Sequence, residues 1–128
     1  MLTVWQAYLA IFFLLEKYYC EKDENTHGAF ALGDLLGGMS PFTFSDGLPA
    51  DPATYDDWTN LVKEVAGKER LSEDEAFNLI TSFLRFHIEN FGYDLQYVID
   101  DLPEFKAKYW TACLEKAKLQ HEEGHNEN

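Results

Sequence analysis

Three groups of residues in this chain are of the types that do chemistry. His121-Glu122-Glu123-Gly124-His125 has the H-E-x-x-H spacing, in which two histidines one helical turn apart bind zinc and the glutamate is the general base. Asp56–Asp57 and Asp100–Asp101 are carboxylate pairs, the raw material of acid/base catalysis. His87 lies between Phe83 and Phe91, and an imidazole can exchange protons near neutral pH. None of the three passes a physical test. A catalytic zinc needs three protein ligands and a dry, shaped cavity. The 121–125 match lies in a polar tail and contains a helix-weakening glycine, so it reads as accidental. Adjacent residues on a helix point apart, so the aspartate pairs are solvated surface rather than dyads. His87 sits on an apolar face and reads as a core or edge histidine. No Ser-His-Asp order, glycine-rich phosphate loop or Cys–His pairing is present. The expectation is a protein that is not an enzyme and holds no metal and no cofactor.

The charge layout carries more. The formal net charge is −13, yet 46% of residues are hydrophobic and 16% aromatic, ample for a core. The carboxylates must therefore clothe a folded domain, which repels nucleic acid and anionic membrane and attracts a basic partner. Between Lys22 and Lys63 there is no Lys or Arg, while Asp23, Glu24, Asp34, Asp46, Asp51, Asp56 and Asp57 fall there. Between Arg85 and Lys106 there is again none, against Glu89, Asp94, Asp100, Asp101 and Glu104. Ordinary surfaces intersperse the signs. Phe42, Phe44, Tyr55, Trp58, Tyr93 and Tyr97 sit among these acids, and aromatic anchors in a charged rim describe a protein-binding surface. The candidate contact residues are Asp46, Asp56, Asp57, Trp58, Asp94, Tyr97, Asp100, Asp101 and Glu104.

The elements that must position them follow from periodicity and punctuation. A chain of 128 residues makes one domain, burying roughly two thirds of its unfolded surface. Thr3 and Gln6 form a capping box, opening a helix to about Lys22 that is apolar on nearly every side. Its run Val4–Leu15 resembles a signal-peptide core, but no Lys or Arg precedes it and no cleavage site follows. It is also shorter than the roughly 20 apolar residues that span a bilayer. A second helix covers Phe30–Met39, and Ser40–Asp51 is irregular. Asp51–Pro52 starts a third helix, which Gly67 stops. Ser72 and Glu75 form a second capping box before an amphipathic helix that Gly92 ends. Asp94–Leu102 is a short helix closed by Pro103, and a last helix runs from Glu104 to about Gln120. No strand is predicted. The fold class is all-α, a single-domain bundle of about six helices over 1–120, with a flexible polar tail at 121–128. Ala7, Tyr8, Ile11, Leu14 and Leu15 align with Ala76, Phe77, Ile80, Phe83 and Leu84 at one constant offset. Two related three-helix halves would produce this, and so would amphipathic periodicity alone. Cys20 and Cys113 read as one buried free thiol apiece in a reduced cytoplasm.

Residues 37–58, GGMSPFTFSDGLPADPATYDDW, with the helix start LSEDEAF at 71–77, resemble small bacterial immunity proteins. Such proteins occur beside polymorphic toxins, including contact-dependent growth inhibition systems. The resemblance implies a protein that binds and neutralises a cognate toxin domain, often a nuclease, inside the producing cell. It assigns a role to no individual residue. The charge points the same way, because a nuclease is basic where it holds phosphate and an acidic partner can cover that site. Two other readings stay open: a small all-α ligand binder or enzyme with a buried pocket, and an acidic adaptor.

Overall fold

The computed structural model describes the backbone at residues 1–23 and 29–127 and the side chains at 1–22 and 31–119. The order of elements is β1 (Leu2–Thr3), α1 (Val4–Tyr18), a π-helical turn (Tyr19–Asp23), α2 (Ala29–Met39), α3 (Pro52–Val65), β2 (Arg70–Leu71), α4 (Glu73–Phe91) and α5 (Gln96–Glu127). The chain is 77% helical, so the class is broadly all-α.

The starts and stops are those the sequence dictates. Thr3 Oγ1 accepts from Gln6 N at 3.0 Å while Gln6 Oε1 accepts from Thr3 N at 2.9 Å. Ser72 and Glu75 make the same reciprocal pair at 3.0 and 2.8 Å. Asp51 Oδ1 accepts from Ala53 N at 3.0 Å, with Pro52 at the first helical position. Gly92 ends α4 in the left-handed conformation that only glycine enters freely.

Three expectations are corrected. Cys113 is buried, but Cys20 is exposed, because it lies in the π-helical turn beyond the enclosed part of α1. Among the described residues the α-helices number five, because Pro103 does not separate two of them. Leu95, Val98, Leu102 and Phe105 are all buried, so one apolar stripe crosses the proline at helical spacing, and Pro103 itself faces solvent. Burial on both sides outweighs the lost backbone bond. There is also a short sheet: β1 pairs antiparallel with β2, Leu2 opposite Leu71 and Thr3 opposite Arg70. Two-residue strands are too brief to leave an alternation in the sequence.

Helix α1 is the centre. Every residue from Ala7 to Leu15 is buried, so the whole circumference is enclosed. Ile11 and Ile80 are both in the core. Helix α1 packs most extensively along α5 and meets α2, α3 and α4 on its other sides.

The two capped helices share a local symmetry. Leu2 and Leu71 stand at the same position before their caps and face each other in the sheet. The caps match in conformation, Thr3 at φ −72°, ψ 164° and Ser72 at φ −71°, ψ 165°. Tyr8 and Phe77, five residues past each cap by sequence, each carry a tryptophan: Trp58 at 6.4 Å and Trp110 at 5.4 Å between ring centroids. The symmetry stops where α5 runs unbroken while α2 and α3 are separated by a loop.

Those tryptophans differ in one respect. Trp58 Nε1 donates to Val4 O at 3.1 Å, whereas the buried Trp110 Nε1 has no hydrogen-bond partner among the described residues. Replacing both by phenylalanine should therefore separate them. Trp58→Phe should destabilise by about 1–3 kcal/mol more than Trp110→Phe, which removes an unsatisfied donor. Urea unfolding of the two variants checks this. Pro103→Ala restores a backbone donor in mid-helix and should raise stability by about 1–3 kcal/mol. A fall in the urea midpoint would mean that the proline shapes the packing of α5.

Candidate functional site

The loop between α2 and α3 is closed at its neck by backbone bonds. Ser40 N donates to Leu36 O at 3.0 Å, Ala50 N to Ser40 O at 3.0 Å and Asp51 N to Gly38 O at 2.9 Å. Pro41 and Pro49 are buried against the body. Inside the loop, Leu48 N donates to Asp46 Oδ1 at 2.9 Å and Phe42 N to Ser40 Oγ at 3.2 Å, and Gly47 supplies a positive φ of 72°. A short loop with close ends and its own side-chain bonds is held in shape. The neck is tight: a Cβ on Gly38 would lie 3.1 Å from Thr54 Oγ1 and 3.3 Å from Asp51 Cβ.

This loop presents apolar side chains to solvent. Phe42 is 55% exposed, Phe44 58% and Leu48 59%. Phe42 rests partly on Phe12 and Phe13, at 6.1 and 6.0 Å between centroids. Single exposed apolar residues are ordinary, but three together on one short, pinned loop form a patch.

The loop leads into a group of carboxylates. Asp51 caps α3, and Asp56 and Asp57 follow in that helix. Asp34 of α2 accepts the hydroxyl proton of Tyr93, which follows α4. That bond, with burial and the charges of Asp34 and Asp51, raises the Tyr93 phenol above its usual range. Burial raises the Asp57 carboxyl, Asp51 and Asp56 add to the rise, and His87 opposes it. Asp34, Asp51, Asp56, Asp57 and Tyr93 thus form one electrostatically connected face drawn from α2, α3 and the end of α4. The ion pairs found among the described residues lie elsewhere, on Glu73, Asp74, Glu75 and Glu104.

The expected contact residues divide. Asp46 is exposed within the loop, Asp56 is exposed on α3 and Asp57 is half-buried. Trp58 is not a surface anchor: it is fully buried, edge-on to Phe83 at 5.7 Å. Asp94 is exposed in the turn before α5. Tyr97 is half-buried against Tyr18, at 6.1 Å between rings. Asp100 accepts from Gln96 Nε2 at 3.1 Å, Asp101 accepts from Tyr18 Oη at 2.6 Å, and Glu104 pairs with Lys108 at 2.9 Å. The second acidic zone is therefore partly engaged within the chain. Asp34, Asp51 and Tyr93 were absent from the expected set; the cation-free interval contains both aspartates, but only the fold brings Tyr93 to them.

No group of three or more His, Cys, Asp or Glu among the described residues could hold a metal ion. The side chains of His121, Glu122 and His125 lie outside the described residues. No described helix is long and apolar enough to cross a membrane. No protein-family model matches this chain, and neither a curated protein nor a solved structure does.

His87 gives the face a pH-dependent support. It is buried, its Nδ1–H donates to Phe83 O at 2.9 Å, and it stacks on Tyr93 at 6.0 Å. Burial lowers its pKa from the usual 6.5, against the opposing pull of the Phe83 carbonyl and Asp57. A depressed folded-state value means that its contribution is present above pH 6.5 and is lost as the pH falls through the folded value. Asp57 has the opposite sign, since its raised pKa favours the fold at lower pH. Stability measured by urea unfolding should drop between pH 7 and pH 5, and His87→Phe should lose less over that interval than the parent chain. Equal losses would remove His87 from the account.

Proposed function

We propose that this protein is an immunity protein that binds and neutralises a cognate basic toxin domain, most simply a nuclease of the RNase type, in the cytoplasm of the producing cell. The observation that carries the reading is the pinned loop exposing Phe42, Phe44 and Leu48 beside a face of unpaired-by-lysine carboxylates at Asp46, Asp51 and Asp56. Apolar anchors next to single-sign charge suit a protein partner of opposite charge. The resemblance of residues 37–58 and 71–77 to immunity proteins supports the same reading, because those residues are the loop, the start of α3 and the start of α4. On this reading the protein acts by contact and not as an enzyme, and it touches neither nucleic acid nor membrane directly. The matched caps and strand pairing further support an origin of the bundle in two related halves, with the 40–51 loop as the feature that the second half lacks.

The test begins with recovery of the partner from the native host by co-purification and mass spectrometry. A basic toxin domain is expected. With the purified pair, Asp56→Lys with Asp100→Lys should slow association about tenfold at low salt, and the effect should vanish near 1 M salt, where the screening length is about 3 Å. Phe44→Ala with Leu48→Ala should instead speed dissociation, by about tenfold or more if these are anchors. Salt-independent association unaltered by both variants would refute this surface. Recovery of no basic partner would refute the immunity reading.

A further inference from the structure

A second feature lies where α1 and the π-helical turn meet α5, adjoining the exposed loop at Phe13, on which Phe42 rests. A cleft of about 330 Å³ is lined by Phe13, Glu16, Lys17, Cys20, Tyr109, Ala112, Cys113 and Lys116. That volume is at the lower end of the range of about 300–1,000 Å³ typical of small-molecule sites. Its walls are apolar: Phe13, Ala112, the ring of Tyr109 and the buried Cys113. Its cations are placed by those walls. Lys116 Nζ stands 4.3 Å from the centroid of Phe13, and Lys17 Nζ 5.0 Å from that of Tyr109. Tyr109 is itself held by its hydroxyl, which donates to Glu21 at 2.5 Å.

In a chain of net charge −13, two ammonium groups facing one apolar cleft are unexpected. Glu16 is the carboxylate that lines it with them. At the floor the lysines prevail: burial pushes the Cys113 thiol up to about 11, Lys116 and then Lys17 act to lower it, and the opposing effect of Glu16 is weaker than either. The cleft therefore offers apolar walls with two ammonium groups in its lining, against Glu16 beside them and Glu21 on the Tyr109 hydroxyl.

We propose that this cleft binds a small amphipathic carboxylate, its chain or ring against Phe13, Tyr109 and Cys113 and its carboxylate between Lys17 and Lys116. The ligand class follows from charge complementarity and from size. A polyanion would meet Glu16, and a neutral hydrocarbon would leave both lysines unused. This site does not depend on the toxin-binding reading, and the two faces can be tested apart.

The probe is sodium octanoate, followed by ¹H–¹⁵N NMR on the intact chain, with octan-1-ol as the neutral comparator. Saturable shifts confined to the lining residues are expected, with a Kd tighter than about 1 mM. Lys17→Gln with Lys116→Gln should weaken octanoate binding about tenfold or more and leave octanol unchanged. Ala112→Phe, at an exposed position on the rim, should block both ligands without touching either lysine. Octanoate should also slow alkylation of Cys20 by iodoacetamide, because that thiol lines the cleft. Absence of saturable binding, octanol binding as tight as octanoate, or shifts centred on residues 41–48 would each overturn the proposal.

Discussion

Ala7 to Leu15 are buried on every side of α1, and a helix of that kind leaves no face for water. Other helices must enclose it, and each needs only one apolar stripe to do so. Helix α5 supplies the longest, from Val98 to Ala117, while α2, α3 and α4 close the remaining sides. Enclosing one apolar helix also sends charge outward. The buried polar or charged side chains among the described residues are Thr54 and His87, so the carboxylates stand on the surface. The burial of the first helix and the surface placement of the carboxylates are thus two sides of one arrangement.

The same helix fixes the exposed loop. Tyr8 lies in α1, and its buried hydroxyl donates to Met39 O at 2.8 Å, satisfying a carbonyl at the end of α2 that the helix cannot satisfy itself. Its ring stacks on Trp5 at 5.4 Å and meets Tyr55 of α3 edge-on at 4.9 Å. Met39 is where the loop leaves and Tyr55 is in the first turn after it returns. One core tyrosine therefore holds both ends of the segment that carries Phe42, Phe44 and Leu48. Burial raises the Tyr8 phenol, with Tyr55 and Asp51 adding to the rise, so it stays protonated and keeps donating. Exposing three apolar side chains costs the fold little order, because the neck bonds and buried prolines fix the backbone without them.

Much of this was legible in the sequence, and the exceptions share a cause. Helix starts at Thr3, Asp51 and Ser72 and the stop at Gly92 depend on one or two neighbouring residues, so they can be read locally. Pro103 is a local signal too, but it was outweighed by a stripe running from Leu95 through Phe105, whose burial depends on α1. Trp58 shows the same limit. Its neighbours in the chain are aspartates, which suggests surface, while its neighbours in space are Tyr8, Phe83 and the Val4 carbonyl. The acidic face was half visible. The interval without Lys or Arg marks Asp34, Asp51, Asp56 and Asp57, but that Tyr93 joins them, while Asp101 and Glu104 are engaged by Tyr18 and Lys108, is tertiary information.

The charge is also unevenly spread, and this bears on how the surface can act. Lys68, Lys106 and Lys118 are occupied by the acidic first turn of α4, which its helix dipole already favours. These exposed pairs contribute little stability, but they cancel charge locally. Lys17 and Lys116 lie over aromatic rings at the α1–α5 cleft. Asp34, Asp46, Asp51, Asp56 and Asp57 fall on α2, the loop and the first half of α3, where the sequence holds no cation, and none of them is in the ion pairs found among the described residues. A field of one sign on one face orients an approaching cation before contact, whereas the same charge scattered evenly would only attract it. Orientation matters because the apolar patch occupies a single short loop. The carboxylates act at the range of a Debye length and the phenylalanines only at contact. On the proposed reading, placing both at the neck-to-helix junction would let the long-range force deliver a basic partner to the short-range one, at the expense of self-repulsion that the enclosed α1 must outweigh.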